Sequence, residues 1–425
     1  MAGKSKSKLD WWHSINQVMV MFGVGLGFGI YGPSLMDLAE IYSSPPRDIA
    51  LMNSARAIGM FLGSCTGGFF YNFMNDQILT LIFLIIYGAG TVVTPLLPSI
   101  WYLHVCGFVA GTSFGIAHIG AQVRLVKVWS DKSASAIQAF HSAYGVGSMI
   151  GPFFVAPFLS LKDDEDIMRE TQLHIPYAAF GLLYAMVAGS MIAAYLYDPA
   201  TIKKTKVEDE HKDDPAGKRS ETFLMVLLFI YLCMCVNSEH TFGTFISVYA
   251  INSPDLEFSR SEAAYIAGIY WSTFTCGRLI SIFLAALFDL QQLLVLSHSL
   301  VIGGSAMLIV WRSSEVCAWI GSGIMGLGLS SMYGAASGLV FEYVRIRHSY
   351  VGAILAAACL GLAISAHAVP PFIGTWPMFL QYYMGVGNVL NTLVLVVMFL
   401  ALRGRSKLTA KKEEAQEMSR ESVVA

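Results

Sequence analysis

About twelve apolar runs, each near the roughly 20 residues that carry a helix across a bilayer, fill this chain from end to end. They lie near 13–38, 49–74, 78–97, 100–126, 134–160, 174–197, 220–250, 261–288, 291–311, 315–341, 350–374 and 378–402. Most connections are short and contain Pro, Asp or Asn, as in Ser43-Ser44-Pro45-Pro46-Arg47-Asp48. One long hydrophilic stretch, Asp198 to Ser220, divides the spans six and six. It mixes Lys203, Lys204 and Lys206 with Glu208, Asp209 and Glu210, as a solvated linker does. The expected fold class is an all-α polytopic membrane protein with twelve transmembrane helices in two six-helix halves. Its expected parts are a tail at 1–12, halves at 13–197 and 220–402, a linker at 198–219 and a tail at 403–425. Charge supports this: 13% of residues are charged, against about 25% in soluble domains.

Lysine and arginine orient the spans, because cytoplasmic loops carry their excess. With the N-terminus inside, about 20 of the 27 fall on inside segments and five on outside loops, with Arg56 and Arg278 inside spans. Both termini and the linker are therefore expected to be cytoplasmic. The seven cysteines all sit in or beside apolar runs, which is packing usage and not a disulfide framework. A polar, basic start without a small-residue cleavage site leads us to expect no signal peptide. No nucleic-acid partner is expected, and a monomer is.

The halves resemble each other. Span two carries Gly59, Gly63 and Gly67 at every fourth position, and span eight carries Gly277, Ser281 and Ala285. Span four carries Gly107, Gly111 and Gly115, and span ten Ser322, Gly326 and Ser330. Small residues at this spacing let helices approach closely in lipid. Two pairs at nearly one offset point to an internal six-plus-six repeat, a plan used by one large class of transporters. The run Gly23, Gly25, Gly27 and Gly29 has no strand before it and reads as a close-packed or bendable helix. No Walker, H-E-x-x-H or C-x-x-C pattern occurs, so nothing supports an enzyme or a metal site.

The chemistry lies in polar groups inside the spans. Glu239 and His240 sit within the apolar run from Thr222 to Ile251, without a charged neighbour there. A charge at that depth costs several kcal/mol, roughly 2.5–3.5 on the insertion scale, and must face protein, water or a ligand. Asp37 lies near the outer end of span one, and Arg56, in the outer part of span two, is the expected counter-ion for either acid. Two readings stand: a purely structural pair, or a functional one. Asp37, with Glu40 after it, can also be interfacial. His118 and Gln122 share a face of span four, and Gln138 and His141 a face of span five, where each can hydrogen-bond a polyhydroxylated solute or a neighbouring helix. Arg124 lies nearer the cytoplasmic end and can snorkel. Tyr249, Tyr270, Trp271, Tyr333 and Tyr144 offer rings for a sugar face, or plain packing. His367 precedes Pro370-Pro371, which must break span eleven.

At these residues the chain resembles a known family. Glu239-His240-Thr241-Phe242-Gly243-Thr244-Phe245 and Trp271-Ser272-Thr273-Phe274-Thr275-Cys276-Gly277-Arg278-Leu279 are similar to motifs of one branch of the major facilitator superfamily. That branch holds the sodium-dependent glucose transporters and major facilitator domain-containing protein four. Gly32-Pro33-Ser34-Leu35-Met36-Asp37 resembles its span-one ending, and Gln138-Ala139-Phe140-His141-Ser142-Ala143-Tyr144 its span-five pattern. The resemblance implies a major facilitator fold whose spans one, four, seven and ten line a central cavity, with access alternating as the halves rock. It carries Asp37, Glu239, Gln138, His141 and Arg278 over as motif positions. The loop after span two lacks the superfamily's arginines. His118 stands where the related fucose-transporter group has an acid, which leaves Glu239 as the strongest candidate for ion coupling.

The expected function is transport of a small polar solute, a sugar first, by symport or facilitated diffusion, in the plasma membrane or an endosomal or lysosomal one. The expected solute or ion ligands are Glu239, Asp37, Arg56, His118, Gln122, Gln138, His141, Arg278, Tyr249 and Trp271. No cofactor is expected beyond a coupling ion, sodium or proton. The alternative is a transport-silent sensor or scaffold acting through its cytoplasmic tails.

Overall fold

The computed structural model describes residues 7–71, 74–129, 133–163, 166–197, 215–256, 258–344 and 348–403. The first half holds α1 (Lys8–Ile41), α2 (Pro46–Phe70), α3 (Asp76–Val93), α4 (Ile100–Trp129), α5 (Ser133–Val155) and α6 (His174–Tyr197). The second holds α7 (Pro215–Asn252), α8 (Arg260–Leu287), α9 (Leu290–Val310), α10 (Glu315–Phe341), α11 (His348–Ala368), a short α12 (Pro370–Ile373) and α13 (Phe379–Leu402). The twelve long helices correspond to the twelve apolar runs. Their ends follow local chemistry. Ser7 and Asp10 cap each other's backbone N–H groups at 3.1 and 3.0 Å, so α1 starts ahead of its apolar run. Pro370 and Pro371 supply no N–H, and α11 stops before them.

Small residues set the packing within each half. α2 lies on α4, where a methyl on Gly111 would sit 2.0 Å from the Arg56 carbonyl oxygen. α8 lies on α10, where a methyl on Gly326 would sit 2.4 Å from the Tyr270 carbonyl oxygen. The two small-residue pairs found in the sequence thus face each other, in the equivalent place of each half. The glycine run of α1 does the same against α5: a Cβ on Gly25 would meet the Tyr144 carbonyl at 2.0 Å.

The halves meet mainly through α5 on α8, α2 on α11 and α1 on α7. Among the described residues, nine helices are apolar and long enough to cross a membrane by themselves. The long helices that fall short are α2, α5 and α8, which carry Arg56, His141 and Arg278 and pack at the boundary between halves. Their polar side chains turn inward: Arg56 to Asn53 and Phe28, His141 to Gln122, and Arg278 to Glu239. Around the outside stand exposed Trp101, Leu182, Leu196, Phe283 and Leu400, an apolar belt suited to hydrocarbon and not to water.

One departure from an all-helical reading is a small antiparallel hairpin between α5 and α6, β1 (Leu161–Asp163) with β2 (Asp166–Arg169). α7 begins at Pro215, inside the stretch read as linker. Most of that linker, 198–214, and nearly all of the last tail, 404–425, lie outside the described residues. We call the end of the bundle that carries Lys8 and Arg403 the terminal face.

Candidate functional site

Glu239 lies in the second half of α7 with a buried side chain, 5% exposed. Its ion-pair partner is Arg278 of α8, whose Nη2 donates to Glu239 Oε2 at 3.4 Å. That length is at the weak limit of a hydrogen bond. Arg278 also reaches the Ser330 carbonyl from Nε at 3.4 Å and stacks over the Phe274 ring at 4.3 Å. Among the described residues no short contact holds either charge, so the pair is loose for a buried one. Tyr270 fixes the helix behind it by donating its hydroxyl to the Glu239 carbonyl oxygen at 2.9 Å.

Aromatic groups from both halves surround the next residue. His240 lies between Phe28 of α1, ring centres 5.3 Å apart, and Trp271 of α8, 6.3 Å apart. Tyr144 of α5 faces both Phe28 and Trp271, at 5.8 and 6.5 Å. The Tyr144 hydroxyl and the Trp271 indole N–H are enclosed and have no hydrogen-bond partner among the described residues. Leaving such a group unpaired costs about 1–3 kcal/mol each, so two beside one another mark a place built for a polar guest.

The first half adds a polar trio. Gln122 Nε2 lies 3.4 Å from His118 and 3.2 Å from His141, linking α4 to α5. His141 in turn lies within electrostatic reach of the Arg278 guanidinium. Close by, Thr275 of α8 donates to the Gly145 carbonyl of α5 at 2.8 Å, joining the halves at mid-depth. The structure therefore brings together Glu239, Arg278, Trp271, His118, Gln122 and His141. Gln138 is on α5, but its side chain lies outside the described residues.

Asp37 is elsewhere. It is fully buried at the end of α1 opposite the terminal face, bonded to Arg260 of α8 at 2.5 Å. Its carboxylate also accepts from the Ser160 backbone N–H at 2.8 Å and the Ser160 hydroxyl at 3.1 Å. Arg260 extends to Glu40 at 2.5 Å, and neighbouring Ser261 donates to the Ala156 carbonyl at 3.0 Å. Together with Ser54 on His367 at 2.8 Å, these contacts tie the halves at that face. Side-chain hydrogen bonds that join described residues of the two halves lie there or at mid-depth.

Arg56 is thus not the counter-ion of either acid; Arg260 and Arg278 take those places. α2 carries Arg56 toward the interior of its own half, where it donates to Asn53 and lies over Phe28 at 4.1 Å. Arg124 does not snorkel: it is buried and bonded to Asp76 at 2.7 Å, stapling α4 to α3. Tyr249 lies away from the centre, its hydroxyl 3.5 Å from the Met378 sulfur. His240, Phe28 and Arg260 did not enter the list of expected ligands. Adjacency to Glu239 was the signal for His240; Arg260 carried none, since it reads as an ordinary loop residue.

Residues 18–366 match the Major Facilitator Superfamily. The chain belongs to that superfamily, whose members are membrane solute transporters and not enzymes. Sodium-dependent glucose transporter 1 of Homo sapiens is 26% identical over 376 residues, covering 83% of this chain and 71% of its own length. The Rattus norvegicus protein of that name is 25% identical over 420 residues, covering 92% and 85%. Major facilitator superfamily domain-containing protein 4A of Danio rerio is 23% identical over 424 residues, covering 83% and 80%. The fold is shared with a bacterial homologue of the human lysosomal transporter Spinster, inward-facing and unoccupied, at TM-score 0.71 and 12% identity, covering 94% and 98%. It is also shared with the nucleoside transporter NupG at TM-score 0.67 and 10% identity, covering 94% and 100%. Membership favours transport over the sensor or scaffold reading.

Proposed function

We propose that the chain carries a sugar across its membrane by alternating access, coupled to a cation at Glu239. The observation that carries this reading is the loose Glu239–Arg278 pair beside two unpartnered donors, the Trp271 indole N–H and the Tyr144 hydroxyl. A sugar hydroxyl accepts from such donors, and a sugar's C–H face packs on rings like those of Trp271, Phe28 and Tyr144. His118, Gln122 and His141 offer further hydrogen bonds from the first half, so a bound solute touches both halves. Names of relatives, glucose transporters among them, support the same class of solute.

A cation, sodium or proton, binds the Glu239 carboxylate and frees Arg278, which is cheap because 3.4 Å is already long for a buried pair. Rocking then requires the Arg260 contacts with Asp37, Glu40 and Ser160 to part at the opposite face. The excess of lysine and arginine on the linker and tails makes the terminal face cytoplasmic. The conformation is then closed to the outside, as in the inward-facing relative of its fold. The membrane is the plasma membrane or an endosomal or lysosomal one.

Uptake of labelled glucose into proteoliposomes, with a sodium gradient, a pH gradient or neither, tests this. Accumulation driven by one gradient supports it. Absence of uptake for glucose and other sugars under every gradient contradicts it.

A further inference from the structure

Arg56 is 8% exposed and sits in a span, so its charge must be balanced by something. Its hydrogen bonding is nearly empty. Of the five N–H donors of a guanidinium, one bonds the neutral Asn53 side chain, and the enclosed Nε has no partner. The rings of Phe28 and Tyr31, at 4.1 and 5.3 Å, give cation–π attraction but no neutralisation. Among the described residues Arg56 has no ion pair with an acid of this half; Asp37 and Glu40 pair with Arg260, Asp48 with Arg47, and Asp76 with Arg124.

Beside Arg56 lies a cavity of about 30 Å³ between α1, α2, α3, α4 and α6, lined also by Tyr31, Tyr87, Thr91, Thr94 and Tyr177. That space holds one or two water-sized guests. It is far too small for a sugar and lies inside one half, adjoining the solute site proposed above only through Phe28, whose ring Arg56 overlies. The Tyr31, Thr91 and Thr94 hydroxyls already donate, to the carbonyls of Ile49, Tyr87 and Gly90. Among the described residues Arg56 is therefore the one charged group on the cavity wall, which Tyr87 and Tyr177 also line. Buried cations without a carboxylate are costly unless some anion completes them.

We propose that this cavity binds a monovalent inorganic anion of halide size, chloride, held by Arg56 within the first half. The site does not depend on the identity of the transported solute. The test uses the purified full-length chain in detergent, unfolded by heat in sodium chloride and in sodium gluconate at equal concentration. Chloride is expected to raise the midpoint saturably, by about 2 °C or more, and bromide to replace it. Arg56→Gln is expected to abolish the difference between the two salts. An equal midpoint in both salts for the natural chain, meaning a cavity filled by water alone, overturns the proposal. So does an undiminished chloride shift in Arg56→Gln. Because that variant removes a buried charge and can misfold, bromide-soaked crystals of the natural chain give an independent readout. An anomalous peak beside Arg56 supports the site, and no peak there in a well-ordered crystal overturns it.

Discussion

Asp37 and Glu239 are acids in the first helix of each half, yet their surroundings are opposite. Asp37 is saturated: Arg260 at 2.5 Å, a backbone N–H at 2.8 Å and a hydroxyl at 3.1 Å fill its carboxylate, and its arginine comes from the other half. Glu239 has one charged partner, at 3.4 Å, from its own half. A saturated acid between two bodies holds them together. An acid with spare acceptor capacity, beside unpaired donors, is equipped to exchange its partner for a ligand. Sequence position alone makes the two look alike; the number and length of their bonds separates them.

Removing the arginines tests this contrast most strongly. Arg260→Ala strands a fully buried carboxylate and is expected to destabilise the closed form by about 3–5 kcal/mol. Faster labelling of a cysteine placed at Ser261 by a membrane-impermeant thiol reagent would report the opening, along with a lower unfolding temperature. Arg278→Gln should cost less, about 1.5–3 kcal/mol in unfolding, because its bond is long and Arg278 is 26% exposed. If Arg278→Gln proves the more destabilising, the assignment of latch and loose pair is reversed. Packing gives a control of intermediate size: Gly111→Ala forces α2 from α4 and is expected to cost about 1–3 kcal/mol without touching either acid. The smallest effect belongs to Tyr144→Phe. Its hydroxyl has no protein partner, so stability should hold while half-saturation for glucose rises by about 2- to 10-fold, a loss of about 0.5–1.5 kcal/mol.

Much of this was legible in the chain. Apolar run length marked the helices, and the spacing of Gly107, Gly111 and Gly115 marked a real helix contact, because both depend on residues near in sequence. The partners of the acids were not legible. Asp37 meets Arg260 across 223 positions, and the choice between Arg56, Arg260 and Arg278 depends on which helix faces which, something no local pattern encodes. Arg124 misled for a related reason: only the placement of α3 beside α4 supplies Asp76 and keeps the guanidinium from the membrane surface. The hairpin Leu161–Arg169 was hidden because it is too short for an alternating pattern to show.

The central claim is that Glu239 binds and Asp37 latches. Gradient-driven uptake of labelled glucose in proteoliposomes, measured side by side for Glu239→Gln and Asp37→Asn, tests it directly. The account predicts that Glu239→Gln loses gradient dependence and at least about tenfold of the uptake, about 1.4 kcal/mol, while keeping its fold. It predicts that Asp37→Asn retains gradient dependence and alters only the balance between closed and open forms. Unchanged gradient dependence in Glu239→Gln, or its loss in Asp37→Asn instead, would contradict it.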